Sequence, residues 1–71
     1  MTKLRKLRLK AGLQRSFVAA KLKINPDYLN HIERGKGQID IDRAQKMSNL
    51  YKCSTKEILE SWRELNEKEN S

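Results

Sequence analysis

The sequence predicts an all-α domain of five helices, and three observations carry that prediction. Apolar residues recur three and four apart along most of the chain, the spacing that lines one face of a helix. Capping residues and glycines interrupt this pattern at short intervals. No run alternates long enough to make a strand, since I-D-I-D at 39–42 is short and abuts a helical pattern. Seventy-one residues leave room for one domain, with a modest core and a stability of a few kcal/mol.

The first helix is expected over about residues 2–11, with Leu4, Leu7 and Ala11 on one face, Thr2 as its cap and Gly12 as its stop. Lys3, Arg5, Lys6 and Lys10 point elsewhere and form a solvated basic face. The second helix, about 14–21, gathers Leu13, Val18, Ala19 and Leu22 on one side, and Ala19 is small enough to admit a close neighbour. The third, about 26–33, opens at Asn25-Pro26, a good cap followed by the residue preferred at the first helical position. It buries Leu29 and Ile32 and stops at Gly35. Gly35-Lys36-Gly37-Gln38 follows as the loop that composition marks as the most flexible part of the chain. Asp40 can cap a fourth helix, about 41–51, whose buried face would be Ile41, Ala44, Met47, Ser48 and Tyr51, with Leu50 beside them. Ser54-Thr55-Lys56-Glu57 fits a capping box, so the fifth helix begins at Thr55 and carries the stripe Ile58, Leu59, Trp62, Leu65 to about residue 65. The domain is then residues 1–66, and the polar tail 67–71 is expected to fray.

Charge is unevenly divided. The net charge is +7, yet residues 1–36 hold ten Lys/Arg against two acids, giving +8, while residues 37–71 hold six against seven, giving −1. A polyanion should therefore dock on the first half. Cys53 is the only cysteine, so no internal disulfide can form, and a reducing cytoplasm is the expected location. No metal or cofactor is expected, because no Cys/His cluster has ligand spacing. No apolar run approaches the length of a membrane span, and the basic start lacks the apolar core of a secretory signal. An enzyme is not expected either: one His, one Cys and solvated carboxylates supply no nucleophile paired with a base.

Residues 13–36 have the organisation of a helix-turn-helix reader: two short helices, a tight turn, and polar side chains gathered at the start of the second. Beyond this motif, the chain resembles the Xre/Cro-type helix-turn-helix domains of phage repressors and related bacterial regulators. The likeness runs from Leu4 to Leu59, carried by Leu7-Arg8, Gly12-Leu13, Val18-Ala19, Lys21-Leu22, Ile24, Tyr28-Leu29, Ile32 through Lys36, Cys53-Ser54 and Ile58-Leu59 at unbroken spacing. It implies a five-helix, lambda-repressor-like fold whose third helix enters the major groove of double-stranded DNA. Gln14-Arg15 stands where such domains usually have Thr or Ser and then Gln, Lys23 and Lys52 stand where a turn glycine is common, and Ile39 replaces the usual proline after the loop.

The resemblance assigns base reading to Asn25, Pro26, Asp27, Tyr28, Asn30 and His31. Asn suits adenine, Asp accepts from cytosine N4 and His can donate to guanine, while the Tyr28 ring has the alternative of packing. Phosphate contacts fall to Arg15, Ser16, Arg34, Lys36 and Gln38, at the start of the second helix and after the third. Arg8 and Glu33 match positions that pair to link the first helix to the reading helix. Cys53 is expected to be a small core residue. Trp62 and Leu65, with Phe17, either complete the core or form the seam of a homodimer. The leading expectation is a small transcriptional regulator of repressor type. The alternatives are a protein-interaction module such as an antitoxin or adaptor contacting a partner through the last helix, or an accessory factor at a plasmid or conjugative origin.

Overall fold

The computed structural model describes the backbone of residues 2–70 and the side chains of residues 2–65. Five helices follow in order: α1 (Lys3–Lys10), α2 (Arg15–Leu22), α3 (Pro26–Glu33), α4 (Ile41–Tyr51) and α5 (Thr55–Asn70), with no strand among the described residues. Four of them begin on a side-chain cap. Thr2 Oγ1 accepts from Arg5 N–H at 3.3 Å, Asn25 Oδ1 from Asp27 N–H at 2.7 Å, Asp40 Oδ1 from Arg43 N–H at 2.8 Å and Ser54 Oγ from Glu57 N–H at 3.1 Å. The exception is α2, whose N-cap Gln14 makes no such bond.

The four inter-helix corners share one backbone device. At each, a residue in the left-handed region lets the next N–H return to a carbonyl five residues back, which satisfies the open end of the helix. The residues are Gly12 (φ 75), Lys23 (φ 59), Gly35 (φ 81) and Lys52 (φ 55). The returning bonds are Leu13 N–H to Arg8 O at 3.2 Å, Ile24 to Ala19 at 3.0 Å, Lys36 to His31 at 2.8 Å and Cys53 to Ser48 at 3.0 Å. The two lysines thus hold the strained conformation that glycine would adopt freely.

Leu4, Val18, Ala19, Leu22, Leu29, Ile32, Ala44, Met47, Tyr51 and Ile58 form the core, drawn from all five helices. α4 packs on α5 and α2, and α2 on α3, with the small Ala19 and Ala44 at zero exposure in the contact layer. Three expectations are corrected. Ile41, placed on the buried face of α4, is 70% exposed, because as the first helical residue after the Asp40 cap it lies outside the packed turns. Ala11 is also exposed, being the C-cap of α1 where the chain turns away from the core. Cys53 is only half-buried against the core, and burial followed by the Glu57 carboxylate holds its thiol above the usual range. In addition, α5 runs to Asn70 instead of ending near residue 65, in keeping with a tail free of Gly and Pro. The tail expected at 67–71 lies outside the described side chains.

Candidate nucleic-acid interface

The reading helix is anchored before it is decorated. Leu29, Ile32 and Glu33 of α3 are buried at 0%, 0% and 1% exposure, and Glu33 closes the inward face with a charge. Arg8 of α1 meets it: Nε donates to Glu33 Oε2 at 2.6 Å, a second guanidinium nitrogen donates to Oε1 at 3.5 Å, and a third N–H reaches the Leu13 carbonyl at 3.0 Å. The pair expected between these two residues is therefore present, and it ties α3 both to α1 and to the α1–α2 corner. The Tyr51 hydroxyl lies buried in the field of the same pair without a hydrogen-bond partner. Its phenol is held above the ordinary value by burial first and by Glu33 second.

The anchored face leaves the opposite side of α3 open. Asn25, Pro26, Asp27 and His31 are exposed, and Asp27 and His31, four residues apart, stack on one helical face. Asn30 is half-buried. Asn25 uses its side-chain oxygen as the α3 cap, leaving its amide N–H groups and one lone pair for other partners. Tyr28 is the residue whose placement departs most from a base reader. Its ring packs against the core, and its hydroxyl both donates to the Gln38 carbonyl at 3.3 Å and accepts from the Gln38 N–H at 3.1 Å. The hydroxyl thus serves the loop after α3 and has little hydrogen-bonding capacity left for a base edge.

That loop is held at several points, in contrast to the flexibility its glycines suggested. Lys36 and Gly37 N–H groups donate to the His31 carbonyl at 2.8 and 3.2 Å, and Trp62 Nε1 donates to the Gly37 carbonyl at 3.0 Å. Gly37 is buried, and a Cβ there would sit 2.9 Å from Ile32 Cγ1 and 3.1 Å from its backbone nitrogen. A bare α-carbon is what lets the loop lie this close to α3. Arg34, Lys36 and Gln38 project as exposed residues from this fixed backbone.

At the start of α2, Arg15 and Ser16 occupy the first turn. Its N–H groups have no side-chain cap, and the half-buried Arg15 has an Nε without a hydrogen-bond partner. Open backbone donors, the positive end of a helix and a guanidinium together suit an oxyanion. Trp62 and Leu65 pack half-buried against the core, whereas Phe17 is 46% exposed beside Gly12, Leu13 and Gln14, with Lys21 Nζ 5.4 Å from its ring centroid. The three suggested seam residues are thus split between the core-packed edge of α5 and the outer face of α2. Sequence reasoning missed Trp62 and Tyr28 as loop fasteners. The available signal was their shared character, an apolar ring with one polar tip that burial obliges to find a partner.

No group of His, Cys, Asp and Glu able to hold a metal occurs among the described residues. No helix among them is long and apolar enough to cross a membrane. A family model described as helix-turn-helix matches residues 4–58, most of the chain. No curated protein and no solved structure matches it. With five helices in this order, a reading helix anchored by Arg8 and Glu33, and that match, the chain belongs to the Xre/Cro-type helix-turn-helix family of DNA-binding domains.

Proposed function

We propose that the protein is a sequence-specific reader of double-stranded DNA acting in the cytoplasm as a small transcriptional regulator of repressor type, with α3 in the major groove. The observation that carries this reading is the exposed Asp27–His31 face on a helix fixed from behind by a buried ion pair, in the half of the chain bearing charge +8. Asp27, His31 and Asn30, with Asn25 and Pro26 at the helix start, are the base-contacting set. Arg15, Ser16, Arg34, Lys36 and Gln38 take the phosphates on the two flanks. Tyr28 is reassigned to supporting the loop.

Selection of bound fragments from random DNA, followed by variants tested on the selected site, examines this directly. Asp27→Ala or His31→Ala should cost ~1–3 kcal/mol of discrimination at one base pair while the fold is kept. Arg15→Ala or Lys36→Ala should weaken binding to every sequence and make the salt dependence shallower by roughly one unit per lost contact. Equal losses on selected and random DNA for the first pair, or an unchanged salt slope for the second, contradict the assignments. A homodimer is the second reading, favoured by Phe17 at 46% exposure, with the half-buried Trp62 and Leu65 as the other suggested edge. Such a dimer would prefer half-sites about 10 base pairs apart, and sedimentation of the protein with and without that DNA tests it.

A further inference from the structure

The family match ends at residue 58, yet α5 continues for three more turns and sends a bond back across the molecule. Trp62 Nε1 donates to the Gly37 carbonyl at 3.0 Å, over a separation of 25 residues. Gly37 is flanked by Lys36 and Gln38, two of the residues assigned above to phosphate. The same three-residue segment is gripped from α3 as well, through the two Tyr28 hydroxyl bonds to the Gln38 backbone and the Lys36 and Gly37 bonds to His31. Every backbone N–H from Lys36 to Gln38 is thereby engaged inward, while the Lys36 and Gln38 side chains remain exposed.

We infer that Trp62 is a positioning residue for DNA binding: it fixes the 36–38 loop so that Lys36 and Gln38 are already aimed at the backbone of the duplex. The inference rests on the proposed DNA reading and adds to it a residue outside the matched family region. A loop with glycines at 35 and 37 is costly to order, and if ordering were left to the moment of binding it would subtract from affinity. The indole moves that cost into folding. Trp62 suits the task because its ring packs on the core, so its N–H is held in place.

Trp62→Phe removes the N–H and keeps an apolar ring. On the selected site the loss of this one bond should weaken binding roughly 3- to 10-fold, and it should make the salt slope shallower, as Lys36→Ala does. A merely structural role would weaken binding equally with or without Lys36. Action through the loop makes the loss caused by Trp62→Phe smaller in the Lys36→Ala background than in the original protein, since only the Gln38 contact is then left to misplace. Because Trp62 is the only tryptophan, its indole N–H resonance can be followed in the unaltered protein, and it should already be protected from exchange with solvent before DNA is added. Full affinity and an unchanged salt slope in Trp62→Phe overturn this inference alone, as do additive effects in the double variant. A protein that binds no DNA overturns it together with the reading beneath it. Should Trp62→Phe not fold, the exchange of the indole N–H decides: protection in the DNA-free protein supports the assignment, and fast exchange there overturns it.

Discussion

Breaking the Arg8–Glu33 pair one partner at a time should be far worse than removing both. Arg8 and Glu33 are 4% and 1% exposed, and the guanidinium makes three bonds, two to the carboxylate and one to the Leu13 carbonyl. Arg8→Ala leaves a carboxylate in the core with no counter-charge, a loss of about 3–5 kcal/mol. A 71-residue domain at typical stability has roughly 4–11 kcal/mol in total, so this loss takes a large share of it and should show as a much lower urea midpoint. Arg8→Met combined with Glu33→Leu removes both charges and keeps apolar volume, and such replacements are neutral or stabilising by about 1–4 kcal/mol. Against that stands the Leu13 carbonyl left without its donor, a penalty of about 1–3 kcal/mol. The double variant should accordingly lie within about 3 kcal/mol of the original. Urea unfolding followed by circular dichroism measures all three proteins, with a constant slope as the check on comparability. A double variant as unstable as Arg8→Ala would falsify the electrostatic account, and so would a loss below about 1 kcal/mol for Arg8→Ala, the scale of an exposed pair. The folded double variant also separates geometry from stability. On the proposed function it should bind random DNA nearly as well and its selected site less well.

Two further outcomes follow from strained or unpaired groups. Tyr51→Phe removes a buried hydroxyl with no partner and should raise unfolding free energy by ~1 kcal/mol, which a lower urea midpoint would contradict. Because burial and Glu33 hold this phenol above its ordinary 10.0, its contribution is fully present below pH 10.0 and declines as the pH rises further, where the unfolded chain ionises first. Tyr51→Phe should lack that alkaline decline, and an identical decline in both proteins would assign it elsewhere. Lys23→Gly relieves about 1 kcal/mol of left-handed strain but loosens the unfolded chain by about 0.4–1 kcal/mol, so thermal unfolding should show little change. Lys23→Val, with a β-branched side chain at φ 59, should be clearly destabilised, and equal stabilities for the two variants would refute the strain argument.

Local chemistry made much of this molecule legible in the sequence. Thr2, Asn25, Asp40 and Ser54 are caps that act within three residues, and all four cap as their spacing indicated. The Arg8–Glu33 pair was accessible only through family resemblance, since nothing local relates residues 25 apart. Ile41 failed because periodicity assigns a face to a helix without saying where along the helix packing begins, and the first position falls outside it. The 35–38 loop failed for a different reason. Its glycines permit flexibility but equally permit close approach, and only Ile32 at 2.9 Å from a Gly37 Cβ reveals which use is made of them. Tyr28 and Trp62 could be placed on helices from the sequence, but which carbonyl or N–H meets each polar tip depends on the tertiary fold.

The parts of the proposed interface differ in how completely they are prepared, and this bears on how the protein would discriminate. α3 is fixed by Arg8 from α1, its first turn by Asn25, and the loop after it by Tyr28 and by Trp62 from α5. Ordering these segments is therefore completed on folding, and little of it is left to subtract from binding. Differences in affinity between two DNA sequences should then arise from the base contacts of the exposed α3 face. The start of α2 is the exception. Gln14 supplies no cap, and Arg15 has a buried Nε without a protein partner, so the fold itself leaves these donors open to an anion. On the proposed function, a phosphate at this corner would take up those donors independently of base sequence. Such a contact would raise affinity for all DNA alike, while the reading of sequence stays with the helix that the rest of the fold holds still.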